Sequence, residues 1–167
     1  MKLKVPYYSQ YEDIKDEVWQ DRACGLVCLK MVLDFHKIKT PETNDFLRIA
    51  LGKEAFGQNG WVHEKLLELA KDYGMEAFRK ESMEDEQELK DFLDKGNPVI
   101  VSIKARKFSV EFEGKFHQVV LIGYDENGFY YHDPDYRNGE GKELFVPKDK
   151  FRKYWRKMAI FIFCPVE

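Results

Sequence analysis

The chain predicts an α+β fold in which helices come first and an antiparallel sheet follows. Two patterns and one turn predict it. Up to Gly96 the apolar residues recur at helical spacing, and from Pro98 they gather into short runs rich in β-branched side chains. Asp125-Glu126-Asn127-Gly128 then separates two such runs, and Asn-Gly in that setting is the strongest short-range hairpin signal.

The first helix is read from Cys24 to His36, opening with "ACGLVCLKMVL". Its few polar positions include Lys30 and Asp34, which share a face at i,i+4, so the rest is buried. A second helix follows Thr40-Pro41, from Asn44 to Leu51. The third, Trp61 to Tyr73, carries Val62, Leu66, Leu69 and Tyr73 as its apolar stripe, with Gly74 placed to cap it. The fourth starts after Ser82 as N-cap, with Glu84, Asp85 and Glu86 in its first turn, and ends at Gly96. Four strands are then expected: Pro98 to Ile103, His117 to Tyr124, Phe129 to His132 and Met158 to Phe163. The 167 residues fit a single domain, 1–167, with no repeat or linker.

Composition removes several function classes. Twenty-seven basic against thirty acidic residues give a net charge of −3, which lacks the basic surface that phosphate neutralisation needs, so nucleic acid is not expected as a partner. No apolar segment follows the first two lysines, and Met158 to Cys164 is too short to span a bilayer. A cytoplasmic protein with no integral membrane segment is expected. The three cysteines, Cys24, Cys28 and Cys164, suit a reducing compartment. Cys24 and Cys28 have three intervening residues, not the two of a zinc pair, and His36, His63 and His132 sit on separate elements as rim or surface residues. No metal and no cofactor is expected.

Chemistry concentrates at element boundaries. Cys24 is either a small core residue or a nucleophile at a helix N-terminus, where negative charge is favoured by about 0.3–2 kcal/mol. Gly25 beside it would let a substrate backbone approach the sulfur. His117 opens one strand of the hairpin, as a satisfied rim residue or as a base. Asp133 ends the other strand, where Pro134 stops further pairing. A turn centred near Asn127 would leave His117 and Asp133 offset, and a bulge would bring them together. One Cys, one His and one Asp at boundaries form a set: a base to touch the thiol and a carboxylate to hold the base.

"VPYYSQ" (Val5–Gln10), "ACGLVCLKMVL", "GWVHEKLLELA", "GNPVIVSI", "HQVVLIGYD" and "YYHDP" occur in one order along nearly the whole chain. In this the sequence resembles the bacteriocin-processing, double-glycine leader peptidase-like family of papain-fold cysteine peptidases. The resemblance implies a papain-like fold with Cys24 as nucleophile, His117 as general base and Asp133 orienting it. It also implies an oxyanion-hole glutamine, for which Gln10 is the first choice and Gln20 the second. The chain departs from the family pattern in three places. Val18 stands six positions before Cys24, where transporter-fused members carry the glutamine; Leu26 follows Cys-Gly; and Gln118 follows His117 in place of an aromatic.

The function expected is a thiol-dependent hydrolase cleaving a peptide or amide bond in a peptide or protein substrate. Its alternatives are an acyl transferase on the same site and a non-catalytic peptide-binding module. With no membrane or ATPase domain in the sequence, a transporter partner is left unassigned.

Overall fold

The computed structural model describes residues 1–104, 108 and 116–166. In chain order the elements are α1 (Glu17–Gln20), α2 (Cys24–Phe35), α3 (Thr43–Gly52), β1 (Phe56–Gly57), β2 (Gly60–Trp61), α4 (His63–Asp72), β3 (Glu76–Lys80) and α5 (Gln87–Asp94). They continue as β4 (Val99–Ile103), β5 (His117–Asp125), β6 (Gly128–His132), β7 (Leu144–Pro147), α6 (Lys148–Tyr154) and β8 (Trp155–Phe163). Six strands pair antiparallel in the order β3-β8-β4-β5-β6-β7, and β1 pairs with β2 as a separate small hairpin. The α+β class holds.

The ordering of helices before strands is softened by β1, β2 and β3. "EAFRK" hides as a strand because only Ala77 is buried in it, and the charged ends suit a sheet edge. Trp61 belongs to β2, not to the third helix, which starts at His63. The fourth helix starts at Gln87 instead of after Ser82. Ser82 has a left-handed φ of 55°, and the Asp85 carboxylate accepts from the Gln87 N–H at 2.9 Å in its place. Gly74 and Gly96 do close their helices, with φ of 85° and 84°.

The sheet has a core on each face. On one, α2, α3 and α4 supply Leu29, Phe46 and Leu66, which meet Val120, Ile122 and Ile160 from the strands. On the other, α5 and α6 bring Leu89 and Phe151 against Val119, Leu121 and Phe161. Every residue of α2 from Gly25 to Leu33 is buried, each fully buried apolar side chain contributing about 1.5–3 kcal/mol. Lys30 is buried among them because its ammonium reaches Thr40 Oγ1 at 2.8 Å, the Pro41 carbonyl at 2.9 Å and Asp34 at 3.2 Å.

One irregularity fixes the hairpin's geometry. Near the turn β5 and β6 pair as Asp125 with Gly128, Tyr124 with Phe129 and Gly123 with Tyr130. Further on, Leu121 pairs with Tyr131 and Val120 with His132, so Ile122 is an extra residue. Carried one step beyond β6, this register sets Asp133 level with Val119, on the same face as His117. Without the extra residue Asp133 would stand level with Val120, and the two side chains would leave the sheet on opposite faces.

Candidate active site

α2 starts at Cys24 without a side-chain cap, because its N-cap is Ala23. The first backbone N–H groups of a helix have no intrahelical partner, so the Cys24 end offers donors and a positive dipole end to a developing anion. One turn on, Cys28 is fully buried and its thiol donates to the Gln118 carbonyl at 3.4 Å. Burial, then the neighbouring Cys24 and Asp133, push the Cys28 thiol well up, so it serves as a neutral link between α2 and β5.

His117 is 8% exposed and Asp133 0%. The ring's Nε2 donates to Asp133 Oδ1 at 2.6 Å, and Cys24 is near enough to add to the influences that raise the ring's pKa. With Nε2 held by the carboxylate, Nδ1 is the nitrogen left for the thiol. Burial alone is the largest single influence and disfavours a charged ring. The Asp133 carboxylate and the Cys24 sulfur together outweigh it and raise the His117 pKa well above 6.5. The arrangement therefore favours an imidazolium beside the sulfur.

Asp133 is held through Oδ1 and its backbone, while its Oδ2 is buried with no partner among the described residues. Its Oδ1 also accepts from the Asp135 N–H at 2.9 Å, its own N–H donates to the Gly141 carbonyl at 2.8 Å, and its carbonyl accepts from Tyr7 Oη at 2.9 Å. Gly141 packs so closely that a Cβ there would overlap the Asp133 carbonyl and the Tyr7 hydroxyl. Sequence reasoning missed both holders. Neither Tyr7, inside "VPYYSQ", nor Gly141 carries a local sequence signal of this role.

The two candidate glutamines differ in what they already bind. Gln20 Nε2 donates to the carbonyls of Tyr11 at 3.2 Å and Ile14 at 2.9 Å, stitching the segment before α1. Gln10 is 2% exposed, its N–H donates to the Pro134 carbonyl at 2.9 Å, and its Oε1 is buried with no partner among the described residues. Gln10 thus stands beside the residue that follows Asp133, with an uncommitted side chain. Val18 lies on α1 and is 59% exposed.

Cys24 opens onto a cleft of about 460 Å³ lined by Phe56, Trp61, His63, Ser102, Gln118 and Arg156, among others. Contrary to the expectation from sequence, the space over Gly25 is not free for a substrate, because a Cβ there would lie 2.8 Å from Trp61 Cδ1 and 3.0 Å from Gln118 Oε1. The glycine admits the indole instead. Trp61 is held by its Nε1 donating to the Arg22 carbonyl at 2.7 Å and by an edge contact with Phe56. His63 is part of this wall, accepting at Nε2 from Gln118 Nε2 at 2.9 Å. Burial first, then Arg79 and Arg156, lower its pKa to about 4, so it is neutral.

The remaining histidines lie elsewhere. His132 Nε2 donates to the Val5 carbonyl at 2.8 Å while Nδ1 accepts from the Glu143 N–H at 3.0 Å. His36 touches the Cys164 sulfur at 3.7 Å. Among the described residues no group of three or more His, Cys, Asp or Glu side chains is gathered to hold a metal ion, and no helix is long and apolar enough to cross a membrane.

Solved structures share this architecture. A putative C39-like peptidase from Bacillus anthracis superposes with a TM-score of 0.73 at 22% identity, covering 100% of both chains. A double glycine motif protease from an AMS/PCAT transporter, solved in complex with its leader peptide, gives 0.66 at 22% identity over 98% of this chain and 94% of that one. The peptidase domain of Streptococcus ComA, a bi-functional ABC transporter involved in a quorum-sensing pathway, gives 0.65 at 22% identity over 87% of this chain and 93% of that one. No curated protein matches the chain. The model of the Peptidase_C39 like family matches residues 2–160, and with its papain-like arrangement of helices and antiparallel sheet the chain belongs to that family of cysteine peptidases.

Proposed function

We propose that the protein hydrolyses a peptide bond through Cys24, His117 and Asp133, with Gln10 and the Cys24 N–H stabilising the oxyanion. The observation that carries this reading is the buried His117 ring donating to Asp133 Oδ1 at 2.6 Å, with Cys24 near enough to act on the ring's charge. The Cys24 thiolate attacks the scissile carbonyl carbon, and the resulting oxyanion accepts hydrogen bonds from Gln10 Nε2 and the Cys24 N–H. The C–N bond breaks as the His117 imidazolium gives its proton to the leaving nitrogen, leaving a thioester on Cys24. A water then loses its proton to His117 and attacks the thioester, and the C–S bond breaks to release the acid. Asp133 keeps the ring oriented and steadies its charge through both halves.

The likeness to a double glycine motif protease of a transporter makes a Gly-Gly peptide the first substrate to try. Three free thiols, Cys164 among them exposed, fit a reducing, cytoplasmic setting for such an enzyme. The test is iodoacetamide labelling followed by mass spectrometry. Cys24 is expected to alkylate near neutral pH faster than a free thiol, and His117→Ala to abolish that advantage. Equal rates in the two proteins would overturn the reading.

A further inference from the structure

One wall of the cleft carries a cation that no described residue neutralises. Arg156 stands at the start of β8, and its Nη1 donates to Ser102 Oγ at 3.0 Å. Ser102 is buried on β4 and is the cross-strand partner of Gln118. The guanidinium sits over the Phe116 ring, with Cζ 3.3 Å from the centroid. A guanidinium has five N–H donors; among the described residues one is used, on Ser102, and no carboxylate pairs with Arg156.

The charges nearby make that position more cationic. Burial first, and then the nearby Arg79, disfavour a positive charge at Arg156. Glu64 and Glu81 are engaged with Arg79 itself, at 3.5 and 2.8 Å, and are largely exposed. Asp21 on the cleft rim pairs with Arg22 at 3.8 Å. His63 is neutral. A partly desolvated guanidinium with free donors is complementary to one group above others: a carboxylate accepting two parallel N–H bonds.

We propose that Arg156 is a specificity-determining residue, receiving the side-chain carboxylate of a Glu or Asp in the peptide that lies across Trp61 and Gln118. The inference rests on the reading of this cleft as the peptide-binding side of a Cys24 hydrolase. It makes the substrate class an acidic peptide segment, and it gives the departure at Gln118 a place. An amide there, bonded to His63 and beside Ser102, leaves a polar route to the guanidinium that an aromatic would cover.

The experiment uses C-terminally amidated, fluorescent dodecapeptides with a central Gly-Gly, in which Glu or Gln is stepped through the other positions. Binding to Cys24→Ala protein is compared with binding to Cys24→Ala carrying Arg156→Gln or Arg156→Lys. At one position Glu should bind roughly tenfold more tightly than Gln. That ratio should fall to one in the Arg156→Gln protein and survive in part with Arg156→Lys. The ratio within each protein is the readout, so a general loss of affinity or folding cancels. A set with no Arg156-dependent preference for Glu at any position, including a set in which nothing binds, overturns the proposal. The hydrolase reading stands or falls separately on the His117-dependent labelling of Cys24, which involves no peptide.

Discussion

Gly141 lies flush against the carbonyl of Asp133, leaving no room for even a methyl group between them. That oxygen is also the acceptor for Tyr7 Oη, at 2.9 Å. The backbone of the carboxylate residue is thus positioned by a residue that carries no chemistry.

Gly141→Ala should therefore lower kcat/KM while leaving most of the fold intact. A displacement of Asp133 by about 1 Å carries a cost on the order of a hundredfold in rate. Gly52→Ala, at a glycine with nothing within 4 Å of its would-be Cβ, serves as the matched control and should change neither rate nor melting temperature appreciably. Turnover of a Gly-Gly peptide by the two variants is the measurement.

Asp133→Asn should move the alkaline limb of activity to lower pH. The carboxylate is the foremost of the influences that raise His117 above 6.5, and burial, which remains in the variant, works the other way. The wild-type ring keeps its proton until pH climbs through that raised value, and the stabilising contribution of the pair is full below 6.5 and lost over the same climb. Profiles of kcat/KM and of denaturant stability against pH for both proteins test the two statements together.

His63 carries the opposite sign. Its folded-state pKa is lowered from 6.5 to about 4, so its contribution to stability is present above 6.5 and is lost as pH falls from there towards 4. His63→Gln should flatten that part of the stability profile. Urea midpoints at intervals across this range give the comparison, and an unchanged slope in the variant would rule the assignment out.

The two glutamines should separate by phenotype. Gln10→Ala is expected to cost about 10²–10³ in kcat, the usual effect of losing one oxyanion donor. Gln20→Ala removes two structural hydrogen bonds, to Tyr11 and Ile14, and should cost about 0.5–1.5 kcal/mol of stability for each. Kinetics and thermal melts on both variants decide between the assignments.

Much of this was readable in the chain because strong local signals marked it. The apolar run of α2, the Asn-Gly turn and the β-branched runs each announce one element, and Cys24, His117 and Asp133 sit where elements begin or end. What stayed hidden depends on tertiary partners. β3 is a strand because Ala77 and Phe78 find β8. α6, a short lysine-rich stretch, is a helix whose Phe151 and Tyr154 are buried. Gly25 reads as room for substrate until Trp61 is seen to fill it, and Gly141 is anonymous without the carbonyl it faces. His63 and Arg156 join the cleft from elements far apart in sequence, a meeting that no local pattern encodes.

The extra residue at Ile122 works as a change of phase in the hairpin. Lengthening or trimming the tip around Asn127 symmetrically, one residue from each arm, would leave the relation between His117 and Asp133 untouched. A single-residue deletion on one arm would instead rotate imidazole and carboxylate to different sides, even though Cys24, His117 and Asp133 were all still present. Odd and even, rather than long and short, is the constraint on this loop, and an engineer grafting a new turn here must count residues modulo two.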